Sequence, residues 1–155
     1  MILQGELHYL VSFINRAAEA VQAFGMTPRA FNDPFYYHED TTMELNKAIQ
    51  VCYWCDGWRG FFCAKVETIG KMGNPVINSR GGWYYVLGDN EIIKPSKHKD
   101  FEEFAYNQFS GNQFYDDIAG AMFCIWCDHS NMMTDEEVVD DVADELKIMY
   151  DKVMK

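Results

Sequence analysis

The chain has 155 residues and a mass of 18.0 kDa, is 48% hydrophobic and 15% aromatic, and carries a formal net charge of −11. That length suits a single globular domain over 1–155, able to bury about two-thirds of its unfolded surface without disulfides or metal, and the composition excludes a disordered chain. The charge is concentrated at one end: residues 101–155 hold 13 acids against three Lys, a polarity that disfavours phosphate backbones and anionic membranes and favours a basic protein partner.

The opening Met1–Leu10 contains Gln4, Glu6 and His8, so it lacks the basic start and apolar run of a signal peptide. No stretch approaches the roughly 18 uninterrupted apolar residues of a membrane span. The expectation is a cytoplasmic protein without membrane contact, its five Cys reduced thiols or metal ligands.

From Glu6 onward, Leu7, Leu10, Val11, Ile14, Ala18, Val21 and Phe24 recur at helical spacing, and Gly25 followed by Pro28 supplies the stop. Met26 to Asp40, rich in Pro, Asn, Asp and aromatics, reads as an ordered loop held by Phe31, Phe35, Tyr36 and Tyr37. Thr41 with Glu44 forms a capping-box pattern that opens a second helix, with Leu45, Ala48, Ile49 and Cys52 on one face and Gly57 or Gly60 at its end. From Phe61 to Ile93 the period changes. Phe62, Ala64 and Val66 alternate with Cys63, Lys65 and Glu67, and Trp83 to Leu87 is rich in aromatics, which predicts an antiparallel sheet turning at Gly70–Gly73, Asn78–Gly82 and Gly88–Asn90.

A short helix is expected from Asp100. Ile118 to Trp126 is apolar all round, the pattern of a helix buried on nearly every side. The last helix begins after Thr134, with Glu137 completing a capping box, and its Val139, Val142, Leu146, Met149 and Val153 form a seam suited to the domain's own core or to a second protomer. The fold class is therefore α+β: an antiparallel sheet of three or four strands covered by about five helices, ending in an acidic amphipathic helix.

That last helix holds seven acids between Asp135 and Glu145, about one negative charge per 2.3 Å of axis at the usual helical rise. Duplex DNA carries one per about 1.7 Å. Glu136, Glu137, Asp140, Asp141, Asp144 and Glu145 are thus candidate contacts to a partner with a basic or nucleic-acid-binding surface. Part of the pattern needs no function, since early acids and the late Lys152 and Lys155 also complement the helix dipole.

Two heptapeptides match around Cys52-Tyr-Trp54-Cys55-Asp56 and Cys124-Ile-Trp126-Cys127-Asp128. Paired C-x-x-C units are the grammar of a four-thiolate zinc site on Cys52, Cys55, Cys124 and Cys127, which would make the chain a structural zinc-binding interaction module. Against this, 68 residues separate the pairs, and Cys at i and i+3 of a helix serve as small buried hydrophobes. No cofactor is therefore expected, with zinc as the alternative. His38-Glu39-Asp40, near Arg80, is the densest titratable cluster and supports a second alternative, a small enzyme with its base in that loop. Gly81-Gly82 before an aromatic run reads as turn chemistry, with neither dinucleotide fingerprint nor P-loop present.

The segment Gly81-Gly82-Trp83-Tyr84-Tyr85, followed by Asp117-Ile118-Ala119-Gly120 opening an apolar run, resembles plasmid antirestriction proteins of the ArdB/KlcA kind over roughly residues 44–127. Where that family has Met and Pro after the aromatic strand, this chain has Leu87, Gly88 and Asp89. The resemblance implies a non-enzymatic inhibitor of a nucleic-acid-handling defence enzyme, and the acidic helix suits that role.

Overall fold

The computed structural model describes residues 4–33, 44–58, 60–80, 83–86, 103–127 and 129–154, the side chains of residues 4–7, 58, 61 and 84–86 excepted. Helix α1 (Gln4–Ala23) forms where the apolar spacing places it. Its end is fixed by Gly25 at φ 72°, a left-handed conformation that glycine adopts at no steric cost, with the Gly25 N–H donating to the Gln22 carbonyl at 2.8 Å. Asn15 on α1 pins the following loop: its Nδ2 donates to the Glu44 carbonyl at 2.9 Å and its Oδ1 accepts from the Asn46 N–H at 2.7 Å.

The centre of the molecule is a four-stranded parallel sheet of β1 (Arg29–Phe31), β2 (Gln50–Tyr53), β5 (Val76–Asn78) and β9 (Gly120–Ala121), side by side in that order. The register pairs Phe31 with Cys52, Cys52 with Ile77, and Ile77 with Gly120. Beyond the ends of β5 and β9, β6 (Tyr84–Val86) and β10 (Cys124–Trp126) form a second parallel pair. Small antiparallel hairpins, β3 (Gly57–Trp58) with β4 (Phe61–Phe62) and β7 (Gln108–Phe109) with β8 (Gln113–Phe114), decorate the connections.

Because the strands lie in chain order with no reversal, the sheet has no switch point of the doubly wound kind, and the connections can all lie on one face. The packing follows that rule. Ala30, Val51, Tyr53 and Val76 share a cluster with Val11 and Ala18 of α1 and with Val66 and Ile69 of α2 (Val66–Lys71). Leu45, Ile49 and Phe109 complete it. This is the arrangement of a singly wound α/β sheet, with α1 and α2 packed on one face of four parallel strands taken in chain order.

The expected antiparallel sheet under five helices is therefore corrected to a parallel sheet with three α-helices among the described residues. Gln50–Tyr53, Gly120–Ala121 and Cys124–Trp126 are strands where the apolar runs read as helices. The reason is physical: a parallel strand is buried on both faces and loses its polar alternation, so its short apolar run has the same signature as a buried helix segment. Conversely, the alternation near Val66 belongs to α2, whose Val66 and Ile69 face the core. The expected turn at Gly88–Asn90, the helix start at Asp100 and the loop His38-Glu39-Asp40 lie outside the described residues.

The terminal helix, α3 (Asp135–Val153), carries the expected box: the Thr134 side chain accepts from the Glu137 N–H, and the Glu137 carboxylate accepts from the Thr134 N–H at 2.8 Å. Its buried stripe is rotated from the expected seam. Val142 and Met149 are buried, whereas Val139 is 62% exposed and Leu146 also faces outward. Met149, Ile148 and Val153 pack with buried Trp83 and with Tyr106, Ala121 and Phe123, so α3 covers the end of the sheet that carries β9.

Candidate functional site

Alternation along each strand sends Val51, Tyr53 and Val76 to the helix-covered face, and therefore Phe31, Cys52 and Ile77 to the opposite one. On that concave face lies a cavity of ≈ 360 Å³ lined by Arg29, Phe31, Cys52, Met122, Phe123, Cys124, Ile125 and Trp126, with Ala30 at its edge. The rings of Phe31 on β1 and Trp126 on β10 stand 6.0 Å apart, tilted by 41°. Trp126 keeps 40% of its surface exposed. An aromatic body that is half wet at the mouth of an apolar cavity is suited to receiving a ligand with an apolar face and polar edges.

Polar groups gather at the carboxyl ends of the same strands. After β1, buried Asn32 donates from Nδ2 to the Cys55 carbonyl at 2.7 Å and accepts the Trp54 N–H at 2.9 Å, while Asp33 Oδ1 accepts the Trp54 indole N–H at 2.9 Å. At the end of β5, buried Asn78 donates to the carbonyls of Tyr106 at 2.8 Å and Gln108 at 2.9 Å and accepts from the Arg80 N–H. The Arg80 guanidinium lies 3.5 Å over the Phe104 ring, and burial lowers its pKa. Ser79 Oγ and Cys124 Sγ are 3.5 Å apart. The ends of β1 and β5 are thus held by side chains already committed to neighbouring backbone, so this rim is rigid before any ligand arrives.

The repeated C-x-W-C-D pattern marks equivalent positions. Cys52 and Cys124 are both buried and line the same cavity, each two residues before a Trp at the end of a parallel strand. Burial is the largest influence on the Cys52 thiol, pushing its pKa to about 11, partly opposed by the Arg29 charge. The second Cys of each pair goes elsewhere, because positions three apart on or beyond a strand do not share a face. Cys55 is hydrogen-bonded to Cys63, which holds the Cys55 pKa down and drives that of Cys63 up, and Cys127 is exposed. Among the described residues no group of three or more His, Cys, Asp or Glu side chains converges as a metal centre would require. The acidic candidates stay on α3: Glu136, Glu137, Asp140 and Asp144 are exposed, Asp141 and Glu145 partly buried, and none lines the cavity.

No family model matches the chain. Solved structures do. The chain matches a GH20 catalytic module of the pneumococcal exo-β-D-N-acetylglucosaminidase StrH with a TM-score of 0.81 and 24% identity, over 96% of its own length and 37% of that chain. A second structure, described as the pneumococcal virulence factor StrH in work on N-glycan recognition and hydrolysis, gives 0.81 at 23% identity, over 96% and 38%. Dispersin B gives 0.76 at 18% identity, over 96% and 49%. The chain is built like part of a GH20 module. At these identities the shared property is the fold, and the chain spans less than half the length of each neighbour.

These neighbours overturn the expected non-enzymatic inhibitor of a defence enzyme. Tyr84–Val86 and Gly120–Ala121 are short parallel strands of a fold that these solved structures share. The charge of α3 accordingly loses its role as a mimic of nucleic acid. The sequence did not single out Phe31 and Trp126 as a pair. The repeated C-x-W-C-D was the one signal that reached the site: Cys52, Cys124 and Trp126 all line the cavity.

Proposed function

We propose that this chain forms a wall of a barrel-type glycosidase acting on terminal β-linked N-acetylglucosamine. The observation that carries this reading is the aromatic cavity at the carboxyl ends of parallel strands, the location where singly wound barrels keep their active sites, in a chain whose fold is that of exo-β-D-N-acetylglucosaminidase modules. Trp126 and Phe31 offer apolar surface to the C–H face of a sugar ring, and Asn32, Asp33 and Arg80 surround the strand ends with hydrogen-bonding groups. Phe31 and Trp126 bind and orient in this role; they transfer no proton. Glycosidases of family 20 are substrate-assisted, a group of the substrate replacing one of the usual two carboxylates, so a wall of such a barrel contributes chiefly by holding the sugar in place.

The test is a titration of N-acetylglucosamine and its β-linked dimer against tryptophan fluorescence, beside an assay for release of 4-nitrophenol from its N-acetyl-β-glucosaminide. Saturable quenching that disappears in Trp126→Ala, with glucose inert, is the expected result. Neither quenching nor hydrolysis at millimolar sugar overturns the proposal.

A further inference from the structure

Of the four buried Cys, Cys52 and Cys124 line the cavity, whereas Cys55 and Cys63 meet each other away from it. Cys55 follows the end of β2 and Cys63 follows β4. The β3–β4 hairpin between them folds the chain back, so that the Cys63 N–H donates to the Asp56 carbonyl at 2.9 Å. The two thiol side chains are hydrogen-bonded to one another, and the Gly57 N–H also donates to the Cys55 sulfur. Two donors aimed at one sulfur favour its thiolate, while the partner that lends its proton is held as the thiol. That mutual bond is the largest influence on either group: it holds the Cys55 pKa down and, with burial, drives that of Cys63 up, although the charges of Asp33 and Asp56 oppose ionisation of both. Cys55 thus has the character of an attacking sulfur and Cys63 that of a resolving one. Cys52, raised by burial, has neither.

We infer that Cys55 and Cys63 form a redox-active dithiol that closes to a disulfide within the folded protein. The Cys55 thiolate attacks one sulfur of a low-molecular-weight disulfide such as oxidised glutathione, forming a mixed disulfide and releasing one small thiolate. Cys63 gives its proton to that thiolate and attacks the Cys55 sulfur, expelling the second small thiolate, which takes up the proton that Cys55 had lost. The pair is oxidised by two electrons, and one small disulfide is reduced to two small thiols. Sulfurs already in contact need little backbone movement to bond, so the product fits the native hairpin. The bond also ties that hairpin to the ends of β1 and β2, because the Cys55 carbonyl accepts from Asn32 and the adjacent Trp54 bonds Asn32, Asp33 and Ser110. This chemistry needs no sugar and is independent of the glycosidase reading.

The test starts from folded Cys127→Ser, which removes an exposed competing thiol, placed in glutathione buffers of rising oxidised fraction. Acid trapping, alkylation and peptide mass spectrometry then locate every thiol. Expected is loss of two of the four remaining thiols as a linked Cys55–Cys63 pair, with Cys52 and Cys124 still alkylated. The urea midpoint should rise by about 1 M over the reduced form. Adding Cys63→Ser keeps a hydroxyl donor beside Cys55 but leaves no sulfur to resolve it, so the reaction should stall with one glutathione on Cys55. With Cys55→Ser instead, Cys63 should stay unmodified. Circular dichroism confirms that each variant is folded, and the linkage in the Cys127→Ser parent decides the matter should one of them not be. Two unlinked thiols at the most oxidising ratio, a pair that links only in urea, a linked form with a lowered midpoint, or glutathione taken up by Cys63 in preference to Cys55 would each overturn the assignment.

Discussion

The two faces of the parallel sheet are made from alternate residues of the same short strands, yet they are built for opposite ends. On the convex face Val51, Tyr53 and Val76 meet α1 and α2 in a cluster closed to water. On the concave face Phe31, Cys52 and Trp126 border an open cavity. Stability should therefore respond to substitutions on the first face and ligand binding to substitutions on the second, which makes the contrast measurable one residue at a time.

The largest effect is expected on the convex side. Ile69 of α2 is fully buried, so Ile69→Ala should lower unfolding free energy by about 2–5 kcal/mol, read as a lower urea midpoint at unchanged slope. Next is Asn78, at the end of β5. Asn78→Leu removes the donor to the Tyr106 and Gln108 carbonyls and the acceptor for Arg80, leaving buried backbone groups unpaired at a cost of about 1–3 kcal/mol. A melt within a degree of the parent would show that the network contributes little.

Cys52 sharpens the comparison through pH. Its folded pKa of about 11 lies above the ordinary 9.0, so the folded state keeps the proton that the unfolded chain gives up. The unfolded state then binds fewer protons, and stability falls as pH rises from about 9, levelling near 11, by up to about 2–3 kcal/mol. Below pH 9 the contribution is fully present. Cys52→Ala should flatten this part of the profile, and a profile unchanged by the substitution would place Cys52 in contact with solvent. Trp126→Ala is the concave counterpart: a shift in stability under about 1 kcal/mol beside complete loss of sugar-induced quenching, since a half-exposed ring has less burial to lose.

Much of the outer layer was legible in the sequence. The heptad-like spacing of Val11 and Ala18, the Gly25 stop and the Thr134–Glu137 box all describe helices that bury one stripe and wet the other, which is the condition under which periodicity carries information. The sheet was not legible, because Val51-Cys52-Tyr53 and Cys124-Ile125-Trp126 are short runs apolar at every position, and such a run carries no period that separates strand from helix. Parallel pairing adds to this, as partners such as Ile77 and Gly120 are separated by more than forty residues and no hairpin turn announces them. The site inherits that difficulty: Phe31 and Trp126, on strands of two different sheets, become neighbours only in the folded chain.

The smallest effect concerns α3, where Glu137 closes the cap while Asp140 and Asp144 lie on the exposed face. Glu137 accepts the Thr134 N–H and anchors the first turn, so Thr134→Ala should cost about 0.5–2 kcal/mol through loss of the box. Asp140 and Asp144 project from the exposed face, and Asp140→Asn with Asp144→Asn should change stability by no more than about 0.5 kcal/mol. Equal losses in the two cases would mean that the acids of α3 contribute to stability as a group, through the helix dipole, and that their density is a property of the helix itself. A loss confined to Thr134 would instead separate the cap from a solvated flank, with Asp140 and Asp144 on the solvated side.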